Sequence, residues 1–568
     1  MSTHHPHPHP HHHPHLHPHH LHHRRVDTDT NTDAFPPPPT ASVWERLPPA
    51  KSTTDIFSFY DRKTIYSLFL FYLFTKGMLA GAGVLSLIRV SFCRKTLEVG
   101  AQECQVMSIL ATIPWCLRGV VAVALSTVKS AFPVAYERQT EVTFIVSATG
   151  VGVACLLPLG LLRYSSIVAG VLMGGVTLAI CVLDVIYNGV YSALVARGQA
   201  AHSPDSPNYA SMLIFSSTAL VQIGAVLAAA FVGPIAENFD PRLIFFVALF
   251  VMATNLIPVF AGWLGEISIS ELPVRAAPEF QAYARFRNIT VLTALAAIAN
   301  AFMSIASDDA VAIALFAVFS LSVLLYLNYY IFAVDERVDA ELKTMLLDKA
   351  RDSRSDFYAV GSTVIFVQAA LYVNIVGAEA FFFTARDGCP ATSPQFSYVD
   401  YSTTGAIVAA AAGWAGVVLY RNYFSSFNLQ SGFTLTLWLH LCVRSLRVLL
   451  PLGVYDTAPA SNWPFFLAVY CVLGAVTGYM FVMPSVVLTP AIVPQEHATV
   501  GFASTVSLQS YAKVVATQLG LFAIDVARLQ ANDSCDYCNL WLMQFSCHVL
   551  AGALCIPVFY IFVPRVRL

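Results

Sequence analysis

The chain has 568 residues, of which 56% are hydrophobic and only 12% charged, whereas a soluble globular chain carries about 25% charged residues. Lys and Arg total 32 against 34 Asp and Glu, a formal net charge of -2, so no basic surplus exists to neutralise a nucleic-acid backbone. An ordinary soluble enzyme and a nucleic-acid binder are both excluded, and apolar runs recurring from Thr64 to Val563 read as one long polytopic membrane unit in a lipid bilayer.

The chain opens on a different composition. Thirteen of its 17 His lie between His4 and His23, interleaved with Pro, and Pro36 to Pro39 follow. Residues 1–55 hold too little apolar surface to offset ordering entropy and read as a disordered cytoplasmic tail. No apolar core of a secretory signal is present there. Imidazoles in such a tract bind metal ions weakly or sense pH, but without fixed geometry they make no defined site.

Spans are predicted to begin near Ile65, Val106, Val142, Ser166, Met212 and Leu243, then near Ile289 and Val311, then near Val360, Thr404, Phe433, Phe465, Val500 and Leu540. Polar gaps from Gly265 to Arg287 and from Asp335 to Asp356 sort them into six, two and six. The expected fold class is an all-α polytopic membrane protein of two six-helix bundles with an extra helix pair between them. The expected domains are residues 56–266, a central linker at 267–356 holding the pair, and residues 357–568.

Basic residues give the orientation, because Lys and Arg accumulate in short cytoplasmic loops. With an even helix number, 18 of the 32 fall on the side shared with the termini and 7 on the other. Two more lie in the tail, and five remain inside spans. Both termini are therefore expected in the cytoplasm. A short internal repeat supports pairing of the halves: Ser217-Thr218 with Gln222 recurs as Ser504-Thr505 with Gln509 at an offset of 287, and Trp115 and Trp414 match more loosely. Its parallel sense fits a major facilitator fold.

A charge at bilayer depth costs about 2.5 to 3.5 kcal/mol even on the lenient insertion scale, so it faces a polar cavity or a partner. The first half holds Lys76, Arg118 and Asp184, with Asn188 one turn beyond Asp184. The second holds Glu379, Arg444, Arg447 and Lys513, with Gln509 one turn before Lys513. Five cations against two carboxylates predict a cavity that prefers an anionic substrate. Alternatives remain open at this level. Lys76, Arg118 and Asp184 fit a structural triad as well as a cavity wall. Arg444 and Arg447 fit snorkelling to the interface as well as gating. Glu379, beside Phe381 to Phe383, fits packing, a gate or stacking on a flat ring.

Asp335 to Asp356 places Val338, Leu342, Leu346 and Lys349 on one side, as an amphipathic helix on the membrane surface or a solvated linker would. Cys389, Cys535 and Cys538 fall in predicted outer loops, where Cys389 and Cys535 are disulfide candidates. The Cys535-x-x-Cys538 pair alone is a weak zinc signal. Asn532 heads a glycosylation sequon on the same side. With no P-loop, no dinucleotide fingerprint and no clustered His in the spans, neither catalysis nor a cofactor nor a metal centre is expected.

The motif order resembles a known family. Lys76-Gly77, Pro114-Trp115 with Arg118, Asp184 with Asn188, Tyr191-Ser192 and Arg197, Gly233-Pro234-Ile235-Ala236-Glu237 and Trp263-Leu264-Gly265-Glu266 resemble the folate/biopterin transporter family, especially its kinetoplastid branch. In the second half Cys389-Pro390, Phe396-Ser397-Tyr398, Met483-Pro484 leading to Pro494 and Glu496, and Cys535-Asp536-Tyr537 continue the likeness. The resemblance spans about Ser58 to Leu568. It implies a major facilitator fold moving folates or pterins, at the cell surface and with proton coupling, in a family that also includes S-adenosylmethionine carriers. It also places family charges at Lys76, Arg118, Asp184 and Arg197, although many members have Lys at the position of Arg118. Two features depart from the family. Ser126-Thr127 stands where a Ser-Asp pair is usual, and Ala135-Tyr136-Glu137-Arg138-Gln139 replaces a strongly basic loop.

A pterin presents two adjacent donors that a carboxylate accepts, and the glutamate tail of folate offers anions to Arg or Lys. Asp184 or Glu379 is therefore expected to hold the ring, and Arg118, Lys76 and Lys513 the anionic end, in a monomer that rocks around a midplane site with protons as the coupling ion. The rival expectations are a carrier of another solute, S-adenosylmethionine in particular, and a non-transporting receptor on the same scaffold.

Overall fold

The computed structural model describes residues 56–131, 137–200, 209–263, 279–307, 309–333, 353–385, 393–424, 427–453, 462–492, 498–527 and 537–563. Among them every regular element is helical, and each predicted span falls on a helix. In chain order these are α1 (Arg62–Leu97), α2 (Ala101–Val128), α3 (Glu137–Leu161), α4 (Ser166–Ala200), α5 (Tyr209–Asn238) and α6 (Leu243–Phe260). The middle pair is α7 (Glu279–Ala306) and α8 (Ala310–Ala333). The last group is α9 (Ser353–Ala370), the short α10 (Val376–Phe383), α11 (Val399–Phe424), α12 (Leu429–Arg447), α13 (Asn462–Thr489), α14 (Ala498–Val526) and α15 (Leu540–Phe562). The His-rich tail and most of the 335–356 segment lie outside the described residues.

Among the described residues, 11 helices are long and apolar enough to cross a bilayer. The long helices that are not among them are α9, α12 and α14, and each has a reason in its sequence. The apolar part of α9 is only Tyr358–Ala370. In α12, His440, Arg444 and Arg447 interrupt the apolar run, and in α14 Gln509, Lys513 and Gln518 do so. Helices that carry polar side chains at this depth belong inside the assembly rather than against lipid.

Local chemistry sets the helix ends and breaks. Asp61 caps α1, its Oδ2 accepting from the Thr64 amide at 2.9 Å. At Ala80–Gly83 α1 is interrupted, with Gly81 in the left-handed region at φ +57°. Glu379, expected in the first helix of the second half, lies instead in α10, after a break at residues 371–375. The break is held open by its own backbone: the Asn374 amide donates to the Ala516 carbonyl at 3.1 Å and its carbonyl accepts from Gln105 Nε2 at 2.7 Å. No helical partner is then available to either group.

Helices pack both within each half and across the halves. In the first half α1 packs on α5, and α4 on α2 and α3; in the second α13 packs on α11 and α12, and α9 on α14 and α15. A Cβ on Gly77 of α1 would stand 2.6 Å from the Val221 carbonyl oxygen of α5, so Gly is required for that close crossing. Two seams join the halves, α2 against α14 and α5 against α11. The sequence repeat maps α5 onto α14 and α2 onto α11, so each seam is the image of the other. The α7–α8 pair packs on α14 and reaches α2 and α9, which places it along one seam. Below, the near end of the bundle is the one holding Arg62 and Phe562, and the far end is the opposite one.

Candidate functional site

The charges of the first half converge on Asp184. Three helices deliver them: α4 carries Asp184 and Asn188, α1 carries Lys76 on a π-helical stretch at Phe71–Leu79, and α2 carries Arg118. Asp184 is 1% exposed. Its Oδ1 lies 2.9 Å from Lys76 Nζ and its Oδ2 2.5 Å from Arg118. Asn188 Oδ1 accepts from the Tyr72 hydroxyl at 3.0 Å, and Lys76 Nζ sits 4.9 Å over the Tyr72 ring. Both carboxylate oxygens of Asp184 are thus committed to cations, which leaves it no free edge for a ligand's donors. The side chain of Lys76, by contrast, is 32% exposed, which makes Lys76 the least buried member of this ion-paired trio.

Lys513 lies on the helix of the second half that meets Arg118. Along α14 nearly every residue from Gly501 to Gln518 is buried, and the departures from burial are Phe502, Val506, Gln509 and Lys513. Steps of four, three and four residues put these four on one helical face. That face meets the first half, because the Arg118 guanidinium lies 5.8 Å from the Phe502 ring centre. On the neighbouring face of α14, Ser507 Oγ accepts from the Gly119 amide at 2.7 Å. Arg118, which shares Asp184 with Lys76, therefore lies at the α2–α14 seam beside the α14 face that carries Gln509 and Lys513.

Glu379 joins none of them. It is buried in the second bundle, where its Oε1 accepts from Gln544 Nε2 at 2.9 Å and lies 3.6 Å from His548 Nδ1. Arg444 and Arg447 turn inward rather than snorkel. Arg444 Nε donates to His440 Nε2 at 3.1 Å with its guanidinium over the Tyr372 ring, and Arg447 donates to the Tyr470 carbonyl at 2.9 Å. The inward turn gives each guanidinium a hydrogen-bond acceptor and a ring to lie on, Tyr372 for Arg444 and Tyr470 for Arg447. Tyr372 stacks with both His440 and His548, so two imidazoles flank one ring. Their sequence separation hid the pairing. The side chain of Arg197, and Cys389, Cys535 and Asn532, lie outside the described residues.

The far end is latched. Arg94 Nη1 donates to the carbonyl and hydroxyl of Thr384, Glu237 Oε2 accepts from the Tyr398 amide at 2.7 Å, and Gln105 Nε2 donates to Asn374 and to the Thr517 carbonyl. Thr517 is one turn beyond Lys513, so Lys513 lies just beneath this closure. A disulfide that sequence reasoning missed, Cys93–Cys104, ties α1 to α2 at the same end. Both cysteines sit at the margins of predicted spans and so did not stand out as loop residues.

Comparisons with known proteins agree with this architecture. No curated protein matches the sequence. Among solved structures, an auto inhibited POT family peptide transporter aligns with a TM-score of 0.57 at 11% identity over 89% of this chain and 98% of that one. The nucleoside transporter NupG aligns at 0.53 and 11% over 88% and 98%. A POT family transporter in complex with 5-aminolevulinic acid aligns at 0.54 and 11% over 88% and 94%. At such identities the likeness concerns the fold, and that fold is the major facilitator fold of two six-helix bundles. The model of the BT1 family matches residues 80–568, from the break in α1 to the C-terminus, and the chain belongs to the BT1 family.

Proposed function

We propose that this membrane transporter moves folate or pterins by alternating access, coupled to protons, as the resemblance to the folate/biopterin branch implies. The observation that supports the reading is the convergence of cations at the junction of the halves: Lys76 and Arg118 on Asp184, and the α14 face beside Arg118 that carries Lys513, with neither Lys fully buried. An anionic end, such as the glutamate tail of folate, pairs with the Lys76 and Lys513 ammoniums. Asp184 acts as the counter-ion that holds Lys76 and Arg118 ready when no substrate is bound, which replaces its expected role as acceptor of the pterin ring. Gln509, on the same face as Lys513, offers the ring both a donor and an acceptor.

In this reading residues 56–266 and 357–568 rock about the two seams, with 267–356 as connector. The far end faces the outside of the cell and the termini the cytoplasm. The bias of 18 to 7 basic residues and the Cys93–Cys104 bridge at the far end, where oxidation is permitted, support that orientation independently.

Uptake of labelled folate, biopterin and S-adenosylmethionine into vesicles holding the full chain tests the proposal. Saturable uptake of a pteridine, unaffected by S-adenosylmethionine, is expected. Replacing Lys513 with Met should raise the KM for folate about tenfold while changing that for biopterin, which lacks the anionic tail, much less. Uptake of S-adenosylmethionine alone, or of none of the three, overturns it.

A further inference from the structure

The second bundle holds a carboxyl that the substrate site does not use. Among the described residues no Lys or Arg nitrogen lies within 4.0 Å of the Glu379 carboxylate. Its partners are an amide, Gln544, and an imidazole, His548. The two guanidiniums nearby are spent elsewhere, Arg447 on the carbonyl and ring of Tyr470 and Arg444 on His440 and Tyr372. A buried carboxylate without a cation is costly, and taking up a proton removes the charge.

We propose that Glu379, with His548 beside it, is the proton-binding site of the transport cycle, separate from the Asp184 centre; this rests on the proton-coupled reading above. Binding forms one O–H bond at a Glu379 oxygen with a proton from bulk water. Release breaks that bond and passes the proton to His548 Nδ1 or to water. A cavity of about 10 Å³ adjoins the imidazole; its walls are largely apolar, with Gln368, Tyr372, His440, Arg444 and His548 as the polar groups among leucines and Phe481, and a volume of that order holds about one water. Beyond it Gln368 is hydrogen bonded to Ser485. Polar groups thus run from Glu379 at the far end of the bundle towards its middle.

The same carboxyl sits in the moving part. Glu379 lies on α10, the short helix that packs on α1 and α2 of the first half. Arg94 covers Phe381 at 4.8 Å and bonds Thr384, and a Cβ on Gly377 would stand 2.9 Å from Gln105 Oε1. A change of charge on α10 therefore acts on the segment that latches the far end. The titratable and charged groups around it are His548 and Cys547 on α15, Arg444 and Arg447 on α12, Tyr470 and Cys471 on α13, Tyr401 on α11 and Arg94 on α1. Asp184, with two cations in contact, has no such need of a proton.

Two measurements on the full chain in lipid vesicles test this. First, wild type should accumulate labelled biopterin severalfold more with an acid-outside gradient than without, and in Glu379→Gln that ratio should fall to about one. An unchanged ratio in Glu379→Gln, or a ratio of one in wild type, overturns the proposal. Second, infrared difference spectra across pH should show a protonated-carboxyl band that Glu379→Gln lacks and His548→Gln shifts in pH midpoint. The same band in Glu379→Gln overturns the proposal. If wild type takes up no pteridine, the substrate reading fails alone, and the infrared titration still decides the proton site.

Discussion

Each half of the molecule buries one carboxylate among cations, and the two are solved in opposite ways. Asp184 is locked between Lys76 and Arg118 at 2.9 and 2.5 Å, whereas Glu379 keeps only Gln544 and His548 while Arg444 and Arg447 lie on aromatic rings, a carbonyl and an imidazole. The first arrangement fixes charge. The second leaves charge adjustable, because a neutral carboxyl and a neutral imidazole satisfy the same geometry. A repeat at the level of the fold has therefore not preserved a repeat in the chemistry of its interior, and in the proposed transport cycle one half presents cations to a substrate while the other handles a proton.

The sharpest way to break the comparison is to remove one cation from each half. Replacing Arg118 with Met leaves Asp184 buried with a single partner and should cost about 3 to 5 kcal/mol, since an uncompensated buried charge is what makes such losses large. Replacing Arg444 with Met removes a guanidinium whose partners are uncharged, and exchange of such a group for an apolar side chain of similar length should cost under about 1.5 kcal/mol. Denaturation of the two purified variants in detergent checks this. Equal losses would mean that Arg444 is ion-paired as firmly as Arg118 and that the asymmetry does not hold.

The next effect concerns the far end. Cys93 and Cys104, 11 apart in sequence, are bridged in the first half. Closing a loop of that size stabilises by about 2 to 3 kcal/mol in the chain-entropy account. Cys93→Ser should lower stability by that amount without touching Lys76 or Asp184, and treatment with a reductant should do the same to wild type and nothing to the variant. A reductant effect that persists in Cys93→Ser would point to a second bridge in the other half.

How far the sequence foretold this follows the same division. Lys76, Arg118 and Asp184 were legible because a charge inside an apolar run has few explanations, and Lys513 because it is too deep to snorkel. The Glu379 centre was not, because its defining partners, Gln544 and His548, are residues that cores tolerate when satisfied, and because α10 exists only through the break at Asn374. That break depends on Gln105 and Ala516, far away in sequence. The six-two-six helix order was readable from apolar length alone, but the position of the extra pair on the α2–α14 seam was not, since hydropathy carries no information on neighbours.

The smallest effect separates exposed from buried pairing. Between α5 and α6 at the far end, Arg242 donates to Asp240 Oδ2 at 2.8 and 2.6 Å, and its amide to Oδ1 at 2.9 Å. Those donors hold the Asp240 carboxyl below the usual carboxylate range. A carboxyl whose folded value is depressed contributes stability at pH above its unfolded value, and loses it as pH falls towards the folded one. Asp240 stands 37% exposed, so water screens the pair and the contribution is at most about 1 kcal/mol. Asp240→Asn should thus cost about 0.5 to 1 kcal/mol at neutral pH and progressively less as acid protonates the carboxyl. Added salt should shrink the loss, because an exposed pair is screened. The loss from Arg118→Met should persist in salt, because the Arg118 and Asp184 side chains are both buried. A difference that survives high salt at Asp240 and vanishes at Arg118 would reverse the assignment of which charges this protein protects from water.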